Sequence, residues 1–192
     1  MKKLVPVLML VLLMTGIGLA QEGQMKLGVG VELLLPSGNF GDVAGTGFGG
    51  TANFLYQLNN QISLSGTAGY ISWGGKSFET VLGKYEYTYS AIPILVGGRY
   101  YFTEGDARVY GSAEIGMYMF SWTFTSPSYD IDGYSFGGGE VSESSSEFTI
   151  APGIGYEMKI GENMNLDLTA KYLMISDANN LNVRAGVNFV IN

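Results

Sequence analysis

"LNVRAGVNFVIN", residues 181–192, changes character at every step. Leu181, Val183, Ala185, Val187, Phe189 and Ile191 fall on one side, and Asn182, Arg184, Gly186, Asn188, Val190 and Asn192 on the other. A strand turns successive side chains to opposite faces, so this is a strand between two solvents. The fold depends on whether its apolar face meets a protein core or lipid.

The same alternation recurs upstream in seven more runs: "MKLGVGVELLL" (25–35), "TGFGGTANFLYQL" (46–58), "QISLSGTAGYIS" (61–72), "YEYTYSAIPILVGGRYYF" (85–102), "ARVYGSAEIGMYMF" (107–120), "EFTIAPGIGYEMKI" (147–160) and "NMNLDLTAKYLM" (163–174). No amphipathic helix pattern follows residue 20. Eight runs make an even number of strands, and their connections alternate in length. Long ones lie near 36–46, at 73–84 and at 125–146, with a shorter "SDANN" last; tight ones fall at Asn59-Asn60, "TEGD" and "GEN". Tight turns at one end and long loops at the other are the pattern of a membrane barrel. Each run supplies the 9–11 residues or so that a tilted strand needs to cross hydrocarbon. Lipid offers the backbone no partners, so such a sheet must close on itself.

The opposite faces decide the orientation. Lys26, Glu32, Arg99, Arg108, Glu114, Glu157, Lys159, Asp167, Lys171 and Arg184 share the polar parity, with Asn53, Gln57 and ten glycines. No charge sits on the apolar faces. A soluble barrel would invert this arrangement, so the apolar faces are read as facing lipid and the charges as a lumen network. An eight-stranded interior is only wide enough for side chains, which predicts a structural plug rather than an open path. Aromatics favour the two lipid–water interfaces. Tyr56, Tyr100, Phe102 and Phe189 are assigned to the turn end, and Tyr87, Phe120, Trp122 and Phe124 to the other. The change of apolar parity after Met119 predicts a bulge or a strand rising clear of the bilayer, and Pro93 and Pro152 within strands predict bulges.

Composition supports export. Charged residues are only 14% of the 192-residue chain, which holds neither cysteine nor histidine. Residues 1–20 combine a basic start, an apolar run and small residues before Ala20, as in a cleavable secretory signal; 21–192 form the barrel domain. Lys2 and Lys3 leave with the signal, so 8 basic and 17 acidic residues remain, a net charge of −9. Nucleic acid is therefore no expected partner.

"SAIPILVGGRYYF" (90–102) and "APGIGYEMKIGENMNLDLTAKY" (151–172), running into the final amphipathic strand, resemble the small outer-membrane β-barrel domain proteins often labelled porin-like. The resemblance covers nearly the whole mature chain. It implies an all-β, closed, eight-stranded antiparallel up-and-down transmembrane barrel in the outer membrane. It also implies insertion by the barrel-assembly machinery, which reads a terminal aromatic in such chains. Here Phe189 is followed by Val190, Ile191 and Asn192.

Catalytic and cofactor motifs are chance matches. "GTGFGG" (45–50) fits a dinucleotide fingerprint but lacks a strand before it and a helix after it. "GYSFG" (133–137) has the spacing of a nucleophile elbow, but the chain has no histidine to act as base. "DIDG" (130–133) is a fragment of a calcium loop without its distal ligands; with Glu140, Glu143 and Glu147 it reads as a solvated acidic loop. No enzyme activity, metal or cofactor is expected. Three functions stay open: a plugged monomeric barrel presenting loop 125–146 to an outside ligand or surface, its termini periplasmic; a narrow porin; or a secreted, lipocalin-like carrier.

Overall fold

The computed structural model describes residues 23–75, 78–80, 83–131, 134–176 and 178–191; the segment 1–20 expected to be a signal, and the side chains of residues 75–87 (Tyr87 included) and 125–140, lie outside this description. The elements are β1 (Met25–Pro36), α1 (Asn39–Val43), β2 (Ala44–Gln57), β3 (Ile62–Gly75), β4 (Phe78–Thr80), β5 (Gly83–Tyr101), β6 (Ala107–Ile131), β7 (Tyr134–Lys159), β8 (Met164–Ile175) and β9 (Asn180–Val190). Successive strands pair antiparallel, β1 with β9, and β3 with β5, so eight strands close a ring. The three-residue β4 only folds back on the start of β5. This is a closed up-and-down barrel of eight strands, and closure leaves no sheet edge around its girth.

The alternation read from the sequence sets the two faces. Outside, Val31 is 69% exposed and Ile154 67%, while inside Asp167 is 0% and Arg184 2% exposed. Tight turns occupy the end where β1 begins and β9 ends. Asn59 Oδ1 accepts from the amides of Gln61 and Ile62, both at 2.9 Å, and Gly105 takes the φ of +97° that the 102–106 turn requires.

At the other end the strands run further than expected. The 73–84 segment contains the end of β3, β4 and the start of β5. The 36–46 segment contains α1, a five-residue helix with no sequence periodicity to announce it. The 125–146 segment is no free loop: β6 and β7 stay in one register from Ala107↔Met158 to Ile131↔Tyr134. Pairing of β6 with β5 stops at Glu86↔Thr125, and pairing of β7 with β8 begins at Thr149↔Ile175. A two-stranded ribbon therefore rises beyond the barrel.

After Met119 there is no bulge but the other expected outcome, a strand that continues past the barrel; the bulges expected at Pro93 and Pro152 are absent, for a simple reason. Proline lacks one donor, and that donor serves one neighbour only. Pro93 keeps register with Tyr118 on β6, and the ladder lapses only on the β3 side, between Ala68↔Ile94 and Ile71↔Ala91. Pro152 keeps register with Ala113, and the ladder lapses only on the β8 side, between Ile150↔Met174 and Gly153↔Lys171. Neither gap shifts the register. Unbroken register through Met119 also means that Phe120 and Trp122 follow Tyr118 inward. Phe120 packs in the lumen and Trp122 is half-buried, so neither belongs to an outward aromatic belt.

Candidate functional site

The lumen has two tiers. The one nearer the termini is polar, and its charges are matched across the axis rather than along the wall. Glu157 and Asp167 lie directly opposite each other on β7 and β8, a repulsive cross-strand pair. Cations from several strands answer both. Lys26 Nζ donates to Glu157 Oε1 at 2.8 Å, and Arg108 also pairs with Glu157. Arg99 grips Asp167 with two bonds of 2.9 and 3.0 Å, a fork that matches a carboxylate. Arg184 Nη1 adds a third at 2.9 Å, and the Tyr110 hydroxyl donates a fourth at 2.7 Å. One step further from the termini, Lys171 Nζ reaches Glu114 Oε2 at 2.5 Å, and Ser65 and Thr67 donate to the same carboxylate. Glu32 accepts from Thr51 at 2.7 Å and Asn182 at 2.8 Å, with Arg184 at 3.9 Å.

The inward glycines make this crowding feasible. A Cβ on Gly28 would lie 2.0 Å from Asn188 Oδ1, and one on Gly155 2.2 Å from Tyr110 Cζ. Arg108 and Arg99 stack on the rings of Tyr101 and Tyr110, at 4.0 and 4.4 Å from their centroids. Nine of the ten residues assigned to the charge network thus meet in the lumen. The tenth, Lys159, is exposed: its inward parity carries no weight in the last residue of β7, where the wall ends.

Polarity does not predict the second tier, although its residues keep the inward parity of their strands. Leu34, Ile71, Trp73, Ala91, Leu95, Tyr118, Leu173 and Ile175 fill the lumen toward the loop end. Phe40, carried by α1, drops onto this cluster. Its ring meets Trp73 and Tyr89 edge-on at 5.8 Å and Phe120 at 6.4 Å. Trp73 stacks on Phe120 at 5.8 Å and donates from its indole nitrogen to Asn180 Oδ1 at 3.2 Å. A different signal is present in the sequence. Alternation collapses into unbroken apolar runs there, "LLL" at 33–35, "MYMF" at 117–120 and "YLMI" at 172–175, because both faces are apolar at that level. Between the tiers, Glu32, Leu95, Tyr118, Leu173 and Asn182 border interstices too narrow for a water molecule.

Of the outward aromatics, Tyr100, Phe102 and Phe189 are exposed and Tyr56 half-buried, all near the turn end, and Tyr100 and Phe102 pack at 5.4 Å. The "GTGFGG" stretch lies inside β2, with no helix after it.

Charges within and an apolar exterior leave no room for a secreted carrier, which needs the reverse. The outer membrane protein beta-barrel domain model matches residues 7–189. The chain belongs to that family. Its members are outer-membrane proteins, and the exposed apolar wall of this barrel is the surface that lipid covers. No curated protein is significantly similar to it in sequence. Solved structures share its architecture, three of them as follows. Ail, the attachment invasion locus protein of Yersinia pestis, is 18% identical over 89% of this chain and 100% of that one, with a TM-score of 0.56. Neisserial surface protein A is 14% identical over 88% and 100%, at 0.58. A major outer membrane protein of Thermus thermophilus is 10% identical over 87% and 99%, at 0.60. At these identities the likeness is one of fold.

Proposed function

We propose that the barrel is a non-conducting, monomeric outer-membrane protein whose work is done at its loop end. Residues 1–20 direct export, the barrel-assembly machinery inserts the strands, and both termini lie on the periplasmic side. The single observation carrying this reading is the filled lumen: matched ions across one tier, packed aromatics across the other. In this role Lys26, Glu32, Arg99, Arg108, Glu114, Glu157, Asp167, Lys171 and Arg184 are struts. None is a transport ligand, and no catalysis is assigned to them.

The β6–β7 ribbon is the part that reaches out. Ail of Yersinia pestis has been solved with the heparin analogue sucrose octasulfate, a polyanion. Here residues 126–148 hold Asp130, Asp132, Glu140, Glu143 and Glu147 and no lysine or arginine, so a cationic partner fits the ribbon better. The purified barrel in a planar lipid bilayer should show no discrete conductance steps. Regular steps would discard the plugged reading in favour of a narrow porin.

A further inference from the structure

Above the rim, one side of β7 is left without a neighbouring strand. β6 and β7 keep one register far past the wall, yet β8 joins β7 only from Thr149↔Ile175. β6 is still paired with β5 as far as Glu86↔Thr125, and Thr125 faces Glu140. Residues 140–148 are therefore the edge of a sheet made by β5, β6 and β7. They are braced on one side, and no strand among the described residues lies along the other. At about 3.4 Å per residue this is about 30 Å of open edge.

The open backbone groups can be assigned. In an antiparallel strand the amide and carbonyl of one residue point the same way, and successive residues alternate. At the foot of β7 the Lys159 amide donates to Asp106 O, just before β6, at 2.7 Å, and the Ile160 amide to Met164 O in β8 at 2.9 Å. Even-numbered residues thus face β8, and the register is unshifted between there and the edge. Beyond Thr149 the groups facing no strand are those of Ser142, Ser144, Ser146 and Phe148.

Edge strands are usually defended by a proline, a bulge or a short length. This stretch has none of these, and residues 141–146 are all exposed. What it carries is Glu143 and Glu147, on the opposite face from the serines and without an ion pair among the described residues. These acids decide what can add. A second copy pairing antiparallel about Ser145 would set Glu143 against Glu147 twice, and like charges directly opposite are destabilising. A strand with basic residues at those positions makes the same contacts favourable.

Resting on the reading that the loop end meets a cationic partner, we infer that the contact is the open edge of β7. The occupant is an extended segment of another protein, added as an antiparallel strand, with two basic residues four apart that face Glu143 and Glu147. Its backbone bonds the open groups of Ser142, Ser144 and Ser146. Its basic residues fall in the non-hydrogen-bonded pairs, where side chains stand closest.

The test titrates the full-length barrel, in nonionic detergent micelles, into fluorescently labelled peptide TTKTTTKTT and follows anisotropy. In the added strand, amides of the residues flanking each lysine face β7, and the lysine amides face away. N-methylation of the flanking residues should weaken binding by about tenfold or more, and N-methylation of the lysines should leave it unchanged. TTKTTKTTT, of the same composition, turns one lysine to the other face and should bind about two- to fivefold more weakly. Glu143→Gln combined with Glu147→Gln should abolish that difference. Ser144→Pro should weaken TTKTTTKTT as flanking methylation does. Pro152 has the same parity in β7 and leaves the register with β6 intact, so this variant should fold, as heat-dependent gel mobility checks. The methylated peptides need no variant at all. Equal binding of the two methylated peptides would mean that charge alone is read, and strand addition would fall while the cationic preference stood. Binding of spermine, a polycation without a peptide backbone, but not of TTKTTTKTT would have the same meaning. Binding of neither would overturn the cationic preference as well.

Discussion

Asp167 is the residue on which the polar tier converges. It is fully buried and takes two bonds from Arg99, one from Arg184 and one from Tyr110. Removing it leaves the Arg99 guanidinium without its carboxylate and Arg184 with only Glu32, at 3.9 Å. Asp167→Leu should lower stability by about 3–5 kcal/mol, as breaking a buried pair does. Arg184 is less critical, because the acids it meets have other partners. Asp167 keeps Arg99, and Glu32 keeps Thr51 and Asn182. Arg184→Leu should therefore cost less, about 1–3 kcal/mol. Urea unfolding in lipid vesicles measures both, and an Arg184→Leu loss exceeding that of Asp167→Leu would contradict this hierarchy.

Among the elements, β7 and β8 carry two tests of the wall. Pro152 leaves the ladder open on the β8 side without moving the register. Pro152→Ala should restore one amide donor and gain about 1 kcal/mol. Hydrogen exchange would reveal that amide as newly protected, whereas rapid exchange would mean that the strands part there for another reason. Leu168 is exposed on the outer face, beside Tyr156 and Ala185. Leu168→Arg should cost about 2–4 kcal/mol if the residue lies near the bilayer midplane. Unchanged stability of that variant in vesicles would remove Leu168 from the lipid-facing belt.

Across the whole molecule, barrel and ribbon are separable. Residues 126–131 and 134–139 pair only with each other, beyond the last pair to β5. Replacing residues 127–138 by a short turn from Ser126 to Gly139, which face each other, should leave folding and heat-dependent gel mobility unchanged, since every pair of β6 with β5 and of β7 with β8 is kept. Failure to fold would show that the ribbon helps nucleate the β6–β7 hairpin. Asp130 and Asp132 would go with it, so the same variant should bind any cationic partner of the ribbon more weakly.

The number of barrel strands, their facing and most of the charge network were legible because a strand repeats every two residues and lipid tolerates no charge on its side. Arg99, Glu114, Asp167 and Lys171 declare themselves by parity alone. Parity fails where the wall ends, as at Lys159, and polarity stops telling the faces apart where both are apolar, as at Leu34, Ile71 and Tyr118, which parity still turns inward. It cannot say which cation meets which acid, because the partners stand on strands 131 residues apart, as Lys26 and Glu157 do, or 68 apart, as Arg99 and Asp167 do. Nor could it place Phe40, whose segment has no periodicity and owes its position to a ring of aromatics assembled from β3, β5 and β6. Local alternation determined what faces lipid. Closure of the cylinder, which brings distant strands within a few ångströms across one axis, decided how the interior is filled.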